Sequence, residues 1–178
     1  MLIVENRNDL IDLITPKSKV CEIGVFKGEF SKILLEKLKP TELHLIDPFN
    51  GMMCSGDKDG NNIVWVNLDE IYKSLTENYK DNPNVILHKG LSFDVLNTFE
   101  DDYFDLIYID GDHSYDGVKL DLNMSLKKVK KDGYICGHDY TLEKFEGVYN
   151  AVNEFCSENN LKISYLTKDG CPSFCIIK

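Results

Sequence analysis

Lys19-Val-Cys-Glu-Ile-Gly-Val-Phe-Lys-Gly28 is an apolar run followed by a glycine-bounded turn, and its reading decides the fold. Residues 19–23 have the length and apolar content of a buried strand, which Gly24 ends. From Gly28 onward Phe30, Ile33, Leu34, Leu35 and Leu38 recur at helical spacing until Pro40 stops the helix. Strand, glycine turn and amphipathic helix make a βα step, the unit from which doubly wound sheets are built.

The same alternation continues outward. Residues 42–46 form a second strand closed by Asp47-Pro48, and helical spacing returns at 68–79. Residues 85–88, 104–109 and 134–137 read as strands three to five, with helices expected at 114–128 and 143–158. Two last strands, 162–166 and 173–177, are joined by the turn residues Lys168-Asp-Gly170. Five βα steps and a terminal hairpin predict an α/β, Rossmann-like three-layer sandwich. Its sheet is mainly parallel and seven-stranded, with an antiparallel C-terminal strand. Residues 1–178 read as one domain. Residues 49–66 interrupt the rhythm with Asn50-Gly51, Ser55-Gly56 and Asp59-Gly-Asn-Asn62, and carry Met52, Met53 and Trp65. A loop of that length is expected to shape a substrate pocket or a lid.

Bulk properties narrow the partners. A net charge of −10 disfavours nucleic acid, whose phosphates need clustered cations. The densest basic cluster, Lys127, Lys128, Lys130 and Lys131, reads as the solvated end of a helix. A small-molecule or carbohydrate substrate fits better. No apolar run approaches the roughly 20 residues that span a bilayer, and the N-terminal charges follow a very short apolar stretch rather than precede a long one. A cytoplasmic protein without a membrane partner is the expectation, and a homo-oligomer is left open. The six cysteines, Cys21, Cys54, Cys136, Cys156, Cys171 and Cys175, have no zinc-type spacing and read as reduced, mostly packed thiols.

Ligands of doubly wound sheets bind beyond the carboxyl ends of the strands. Those ends are Glu22-Ile-Gly24-Val-Phe-Lys-Gly28, Asp47-Pro48, His88-Lys-Gly90-Leu91-Ser92, Asp110-Gly-Asp-His113 and His138-Asp139, each rich in polar groups or glycine. Gly24-x-x-x-Gly28 is not the G-x-G-x-x-G of dinucleotide binders, because Phe26 takes the second glycine position. A carboxylate at Glu22 on a buried strand needs a partner, either a cofactor ammonium or a hydrogen-bond network. Asp47 is placed to accept both hydroxyls of an adenosine ribose, which alone fits NAD as well as S-adenosylmethionine.

Val20-Cys-Glu-Ile-Gly-Val-Phe-Lys-Gly28 resembles motif I of the class I S-adenosylmethionine-dependent methyltransferases. Phe104 to Val118, containing Ile-Asp-Gly-Asp-His-Ser-Tyr115, then Asp121-Leu122 and Gly137-His-Asp-Tyr140, resemble a subgroup with IDGDHxY and GHDY motifs. That subgroup includes relatives of macrocin O-methyltransferase and the methyltransferase-like cephalosporin hydroxylases. The resemblance spans roughly residues 18–140. It implies that Glu22 and Gly24 lie near the amino-acid part of S-adenosylmethionine, that Asp47 holds the ribose, and that Val25, Phe26, Gly28 and Pro48 belong to the same cofactor site. It likewise implies that Gly90, Leu91 and Ser92 flank the adenine and that Asp110 sits beneath the sulfonium.

For methyl transfer to a hydroxyl, His113 is the expected general base, with a pKa near operating pH, beside Asp110. The resemblance also implies a divalent cation, Mg²⁺ or another, on Asp110, His138 and Asp139, with Asp112 as an alternative carboxylate. Two rival readings are a non-catalytic protein that kept the fold and an NAD(P)-dependent oxidoreductase. The second lacks its glycine motif.

Overall fold

A computed structural model describes residues 1–15, 19–55 and 64–178. The chain opens with β1 (Leu2–Val4) and α1 (Arg7–Leu13), then β2 (Lys19–Ile23), α2 (Glu29–Leu38) and β3 (Glu42–Asp47). A hairpin, β4 (Met52–Ser55) and β5 (Val64–Asn67), precedes α3 (Leu68–Tyr79), β6 (Val85–Lys89) and α4 (Ser92–Leu96). The second half runs β7 (Phe104–Ile109), α5 (Tyr115–Lys128), β8 (Val129–Gly137), α6 (Glu146–Glu158), β9 (Ile163–Thr167) and β10 (Phe174–Ile177).

The main sheet has the order β1-β9-β10-β8-β7-β2-β3-β6. Only β10 runs against its neighbours, pairing antiparallel with both β8 and β9. The Rossmann-like, mainly parallel sheet with its antiparallel C-terminal strand is therefore present, with eight strands rather than seven. The eighth is β1, parallel to β9 through Leu2↔Tyr165. Three half-exposed residues carry too little periodicity to announce a strand. The hairpin β4–β5 lies in the stretch read as a loop, where Met53↔Val66 and Cys54↔Trp65 are paired. Residues 56–63, the centre of that stretch, lie outside the described residues.

Strand alternation divides the core into two layers. Val20, Leu106, Tyr108 and Cys136 face α1, α2 and α3, where Leu10, Phe30, Leu34 and Leu75 close over them. Cys21, Ile107, Ile109 and Ile135 face α5 and α6, meeting Val118, Leu122, Val152 and Phe155. Each fully buried side chain of this kind contributes roughly 1.5–3 kcal/mol. Caps fix the helix starts that border the site. Asn6 accepts from the N–H groups of Asn8 and Asp9 at the start of α1, and Ser114 accepts from the Gly117 N–H at the start of α5. Among the described residues, no helix is long and apolar enough to cross a membrane. Two lysines of the basic cluster are spent on local partners: Lys128 reaches the Phe99 carbonyl and Asp101, and Lys130 pairs with Asp105.

Candidate active site

The chain leaves β2 for β3 on one side and later returns to β7 on the other, so the topological switch lies between β2 and β7. Gly24 and Asp110 end these two strands, and the Asp110 N–H donates to the Ile23 carbonyl at 2.8 Å. Gly24 has φ +84°, and a Cβ there would stand 2.0 Å from the Asp110 carbonyl oxygen. Only glycine fits both the dihedral and the gap.

A cavity of about 400 Å³ opens at this point. Gly24, Phe26, Asp47, Pro48, Leu91, Ser92 and Asp110 line it, as do Met53 from the hairpin and Gly117, Leu120 and Asp121 from α5. Its size lies within the ~300–1,000 Å³ of small-ligand pockets, and its lining fits a nucleoside cofactor, with apolar walls and a few polar groups. Asp47 does more than the sequence suggests. Its Oδ2 accepts from the Val25 and Phe26 N–H groups at 3.0 Å each, and its Oδ1 from the Phe49 N–H at 2.7 Å. A carboxylate offers about four lone-pair positions, so about one is left for a ribose hydroxyl rather than two or more.

Glu22, Val25, Gly28 and Gly90 do not line this cavity. The alternation of β2 turns Glu22 to the α2 side, where it is fully buried and accepts from the Ser31 hydroxyl. Burial pushes its carboxyl up to about 8, only partly opposed by the Ser31 bond. Its partner is thus a hydrogen-bond network beneath α2. Val25 is buried against the same layer, and Gly28 starts α2 with φ +71° where a Cβ would press on Leu75 at 2.8 Å. Gly90 donates its N–H to the Asp47 carbonyl at 3.1 Å and so ties the two strand ends together.

Beyond Asp110 lies a cluster of charge. His113 Nε2 is 3.1 Å from Asp139 Oδ2 and 3.9 Å from Asp110 Oδ1. His138 Nδ1 is 3.2 Å from Asp139 Oδ1 and 3.7 Å from Asp110 Oδ1. Arg7, from the start of α1, stands 3.6 Å from Asp110 Oδ2 with its guanidinium 4.5 Å above the Phe30 ring. Asp110 and then Asp139 raise His113 to about 10. Burial pushes Asp139 up, but His113 and His138 outweigh it and hold the carboxyl well below the usual range.

The two carboxylates thus favour the imidazolium form of His113, whereas the sequence led to the expectation of a pKa near operating pH. Its ring also packs on Phe145, at 4.7 Å between centroids. For a cation, the converging donors are Asp110, His113 and Asp139, whose ligand atoms lie within 4.8 Å of one another. His138, expected as a ligand, lies beside this group, 3.7 Å from Asp110 Oδ1 and 3.2 Å from Asp139 Oδ1. Two carboxylates and an imidazole suit a divalent ion. Asp112 is spent on the start of α5, accepting from the Ser114 N–H and hydroxyl at 2.8 and 2.9 Å.

Sequence reasoning missed Arg7 and, though it quoted Asp121 within a motif, gave it no place in the site. Nothing local marks Arg7, which reaches the site only through the packing of α1. Asp121 did carry a signal: with Gly117 and Leu120 it shares one helix face at spacings of three and four. His88, a strand-end histidine, turns away from the cavity and bonds to His44, Nε2 to Nδ1 at 2.9 Å. Cys21, Cys136, Cys156, Cys171 and Cys175 are unbridged.

Residues 21–140 match a family described as methyltransferase domain. The chain is 30% identical over 141 residues to the uncharacterized protein R132 of Acanthamoeba polyphaga mimivirus, covering 77% of this chain. It spans 58% of the length of that relative. Among solved structures, an O-methyltransferase from Bacillus cereus in complex with SAH has a TM-score of 0.68 at 16% identity, with 97% of this chain and 80% of that one covered. The N-methyltransferase NodS from Bradyrhizobium japonicum WM9 has a TM-score of 0.65 at 15% identity, with 97% and 92% covered. Spermidine synthase from Thermotoga maritima has a TM-score of 0.62 at 15% identity, with 94% and 55% covered. At these identities the likeness is one of fold alone, shared by an O-methyltransferase, an N-methyltransferase and a spermidine synthase.

Proposed function

The chain belongs to the methyltransferase domain family, and on that premise we propose that it moves the methyl group of S-adenosylmethionine to a hydroxyl of a small molecule or sugar. The observation that carries this reading is the meeting of two features at one switch point: the cavity lined by Gly24, Asp47 and Ser92 and the Asp110–His113–Asp139 cluster beside it. The stretches that supply the cluster are the IDGDHxY and GHDY motifs, which supports placing the chain with the relatives of macrocin O-methyltransferase. The net charge of −10 and the scattered cations favour a small acceptor over nucleic acid.

S-adenosylmethionine, when bound, supplies an electrophilic methyl on sulfur. The protein's part is to align an acceptor oxygen with it and to manage that oxygen's proton. Asp47 and the turn it ties down hold the nucleoside, while Gly24 lets the backbone come close. Asp110 stands where the cavity meets the cluster. His113, charged in the free protein, donates to Asp139 and has no lone pair for an acceptor's proton. A divalent cation, when bound, would lower the pKa of the acceptor hydroxyl and orient it. Asp110, His113 and Asp139 would hold that ion, and His113 would give up its proton to do so. Arg7 stands 3.6 Å from Asp110 Oδ2 and so borders the cluster on the α1 side.

The test is a screen of hydroxylated small molecules and sugars with S-adenosylmethionine and Mg²⁺, read out by homocysteine release after hydrolysis of the product nucleoside. Mass gain of 14 on an acceptor (one methyl for one hydrogen) supports the reading. Methylation confined to amines would refute the hydroxyl assignment.

A further inference from the structure

Away from the charged cluster, a second pair of histidines ties β3 to β6. His44 on β3 lies opposite Ile86, and His88 on β6 lies opposite Ile46, so the two are diagonal neighbours on one face of the sheet. Their rings stack 5.2 Å apart and 19° from parallel, with His44 Nδ1 2.9 Å from His88 Nε2. His44 is buried, and Phe99 and Phe104 meet its ring edge-on at 4.9 and 5.5 Å.

The charges around the pair fix its protons. Glu42 Oε2 lies 3.2 Å from His44 Nε2 and accepts from the Tyr103 hydroxyl, while Lys19 stands 3.6 Å from Glu42 Oε1. The Tyr103 hydroxyl, with His44 and Lys19 beside it, holds the Glu42 carboxyl below its usual range against the effect of burial. His44 therefore donates its Nε2–H to a carboxylate, and its Nδ1 lone pair accepts the Nε2–H of His88. Among the described residues, Glu42 and Lys19 are the charged groups that bear on His44, and His44 is the one that bears on His88. Protonating both rings sets N–H against N–H in a partly buried place, and the bond is lost.

What the bond holds is a wall of the cavity. β6 ends the sheet and pairs with β3 alone among the described strands. Two residues past His88, the Gly90 N–H donates to the Asp47 carbonyl at 3.1 Å, and Asp47, Leu91 and Ser92 line the cavity.

We propose that the His44–His88 bond is an acid-sensitive latch: protonation of both rings releases the end of β6 from β3 and loosens the cavity wall at Asp47 and Gly90. On the S-adenosylmethionine reading above, cofactor affinity falls as the latch opens. Burial sets the direction. It is the largest influence on each ring and lowers both below the 6.5 of a free imidazole; Glu42 opposes it at His44, and His44 adds to it at His88. The unfolded chain thus takes up protons that the folded pair resists, so the latch is closed above about pH 6.5 and is lost as pH falls below it.

The experiment is amide exchange at Gly90, expressed as protection relative to the unfolded chain, at pH 7.5 and 5.5. In the wild-type protein protection is expected to fall about ten-fold or more. In His88→Gln, whose amide can donate to a neutral His44 or accept from a charged one, it changes by less than about two-fold. The proton on Glu22 acts in both proteins and cancels in the comparison. Magnetic resonance titration of the wild-type imidazoles needs no variant, and both rings are expected to titrate below the free value. Two rings that titrate as free imidazoles overturn the latch, and so does a loss of protection shared equally by both proteins. Calorimetry with S-adenosylhomocysteine at the same two pH values separates this from the cofactor reading. No binding at either pH, with Gly90 protection still acid-labile in the wild type alone, overturns the cofactor reading and supports the latch.

Discussion

Gly24 and Asp110 touch through their backbones: a Cβ on Gly24 would lie 2.0 Å from the Asp110 carbonyl oxygen, closer than any side chain can stand. This contact joins the end of β2 to the end of β7 and brings the Gly24–Gly28 turn against the charged cluster. Gly24→Ala adds both a clash with backbone and a positive φ. It is expected to cost about 2–4 kcal/mol in urea denaturation and to abolish S-adenosylhomocysteine binding. A variant with wild-type stability would show that the two strand ends do not need this approach.

Asp47→Asn is the milder lesion. The amide keeps the shape but replaces one acceptor oxygen with a donor, against the Val25, Phe26 or Phe49 N–H. The expected stability loss is about 1–3 kcal/mol, and cofactor affinity falls about ten-fold or more in calorimetry. Stability and affinity should fall together if the same carboxylate serves turn and ligand.

Much of this was legible beforehand. Residues 19–23 and 104–109 are short, apolar and bounded by glycine or acid, and both proved to be central strands. Glu22 was harder. Its neighbours Val20 and Cys21 show which faces alternate, but only the packing of α2 revealed Ser31 as its partner. His113 illustrates a second limit: its charge is set by Asp139, 26 positions away in sequence and 3.1 Å away in space. The hairpin β4–β5 sits among turn residues that hide its pairing, and Arg7 belongs to a helix with no motif at all.

Glu22 gives a pH prediction with a definite sign. Between about pH 4.5 and 8 the folded carboxyl keeps a proton that the unfolded chain has lost, so the native state binds more protons. Stability contributed at this site therefore falls as pH rises through that window, by at most about 1.4 kcal/mol per unit. Glu22→Gln, which can still bond to Ser31, should be progressively more stable relative to wild type from pH 5 to 8. A pH-independent difference in urea midpoints would mean that Glu22 is ionised in the fold.

The cluster makes a kinetic prediction. Asp110→Asn and His113→Ala should each lower methyl transfer at least about a hundred-fold, the scale of lost acid–base or positioning groups. For His113→Ala, S-adenosylhomocysteine affinity should change little, because His113 does not line the cavity. Dialysis against EDTA should depress turnover and Mg²⁺ restore it; a rate indifferent to EDTA would leave the Asp110–His113–Asp139 triad as an ion-pair cluster alone.

Whether the cavity at the β2–β7 switch holds the methyltransferase cofactor is decided by calorimetric titration of the wild-type protein and Asp47→Asn with S-adenosylhomocysteine. One site per chain is expected, with affinity about ten-fold or more weaker in the variant. Absence of binding by a folded wild-type protein, or equal binding by both proteins, would contradict it.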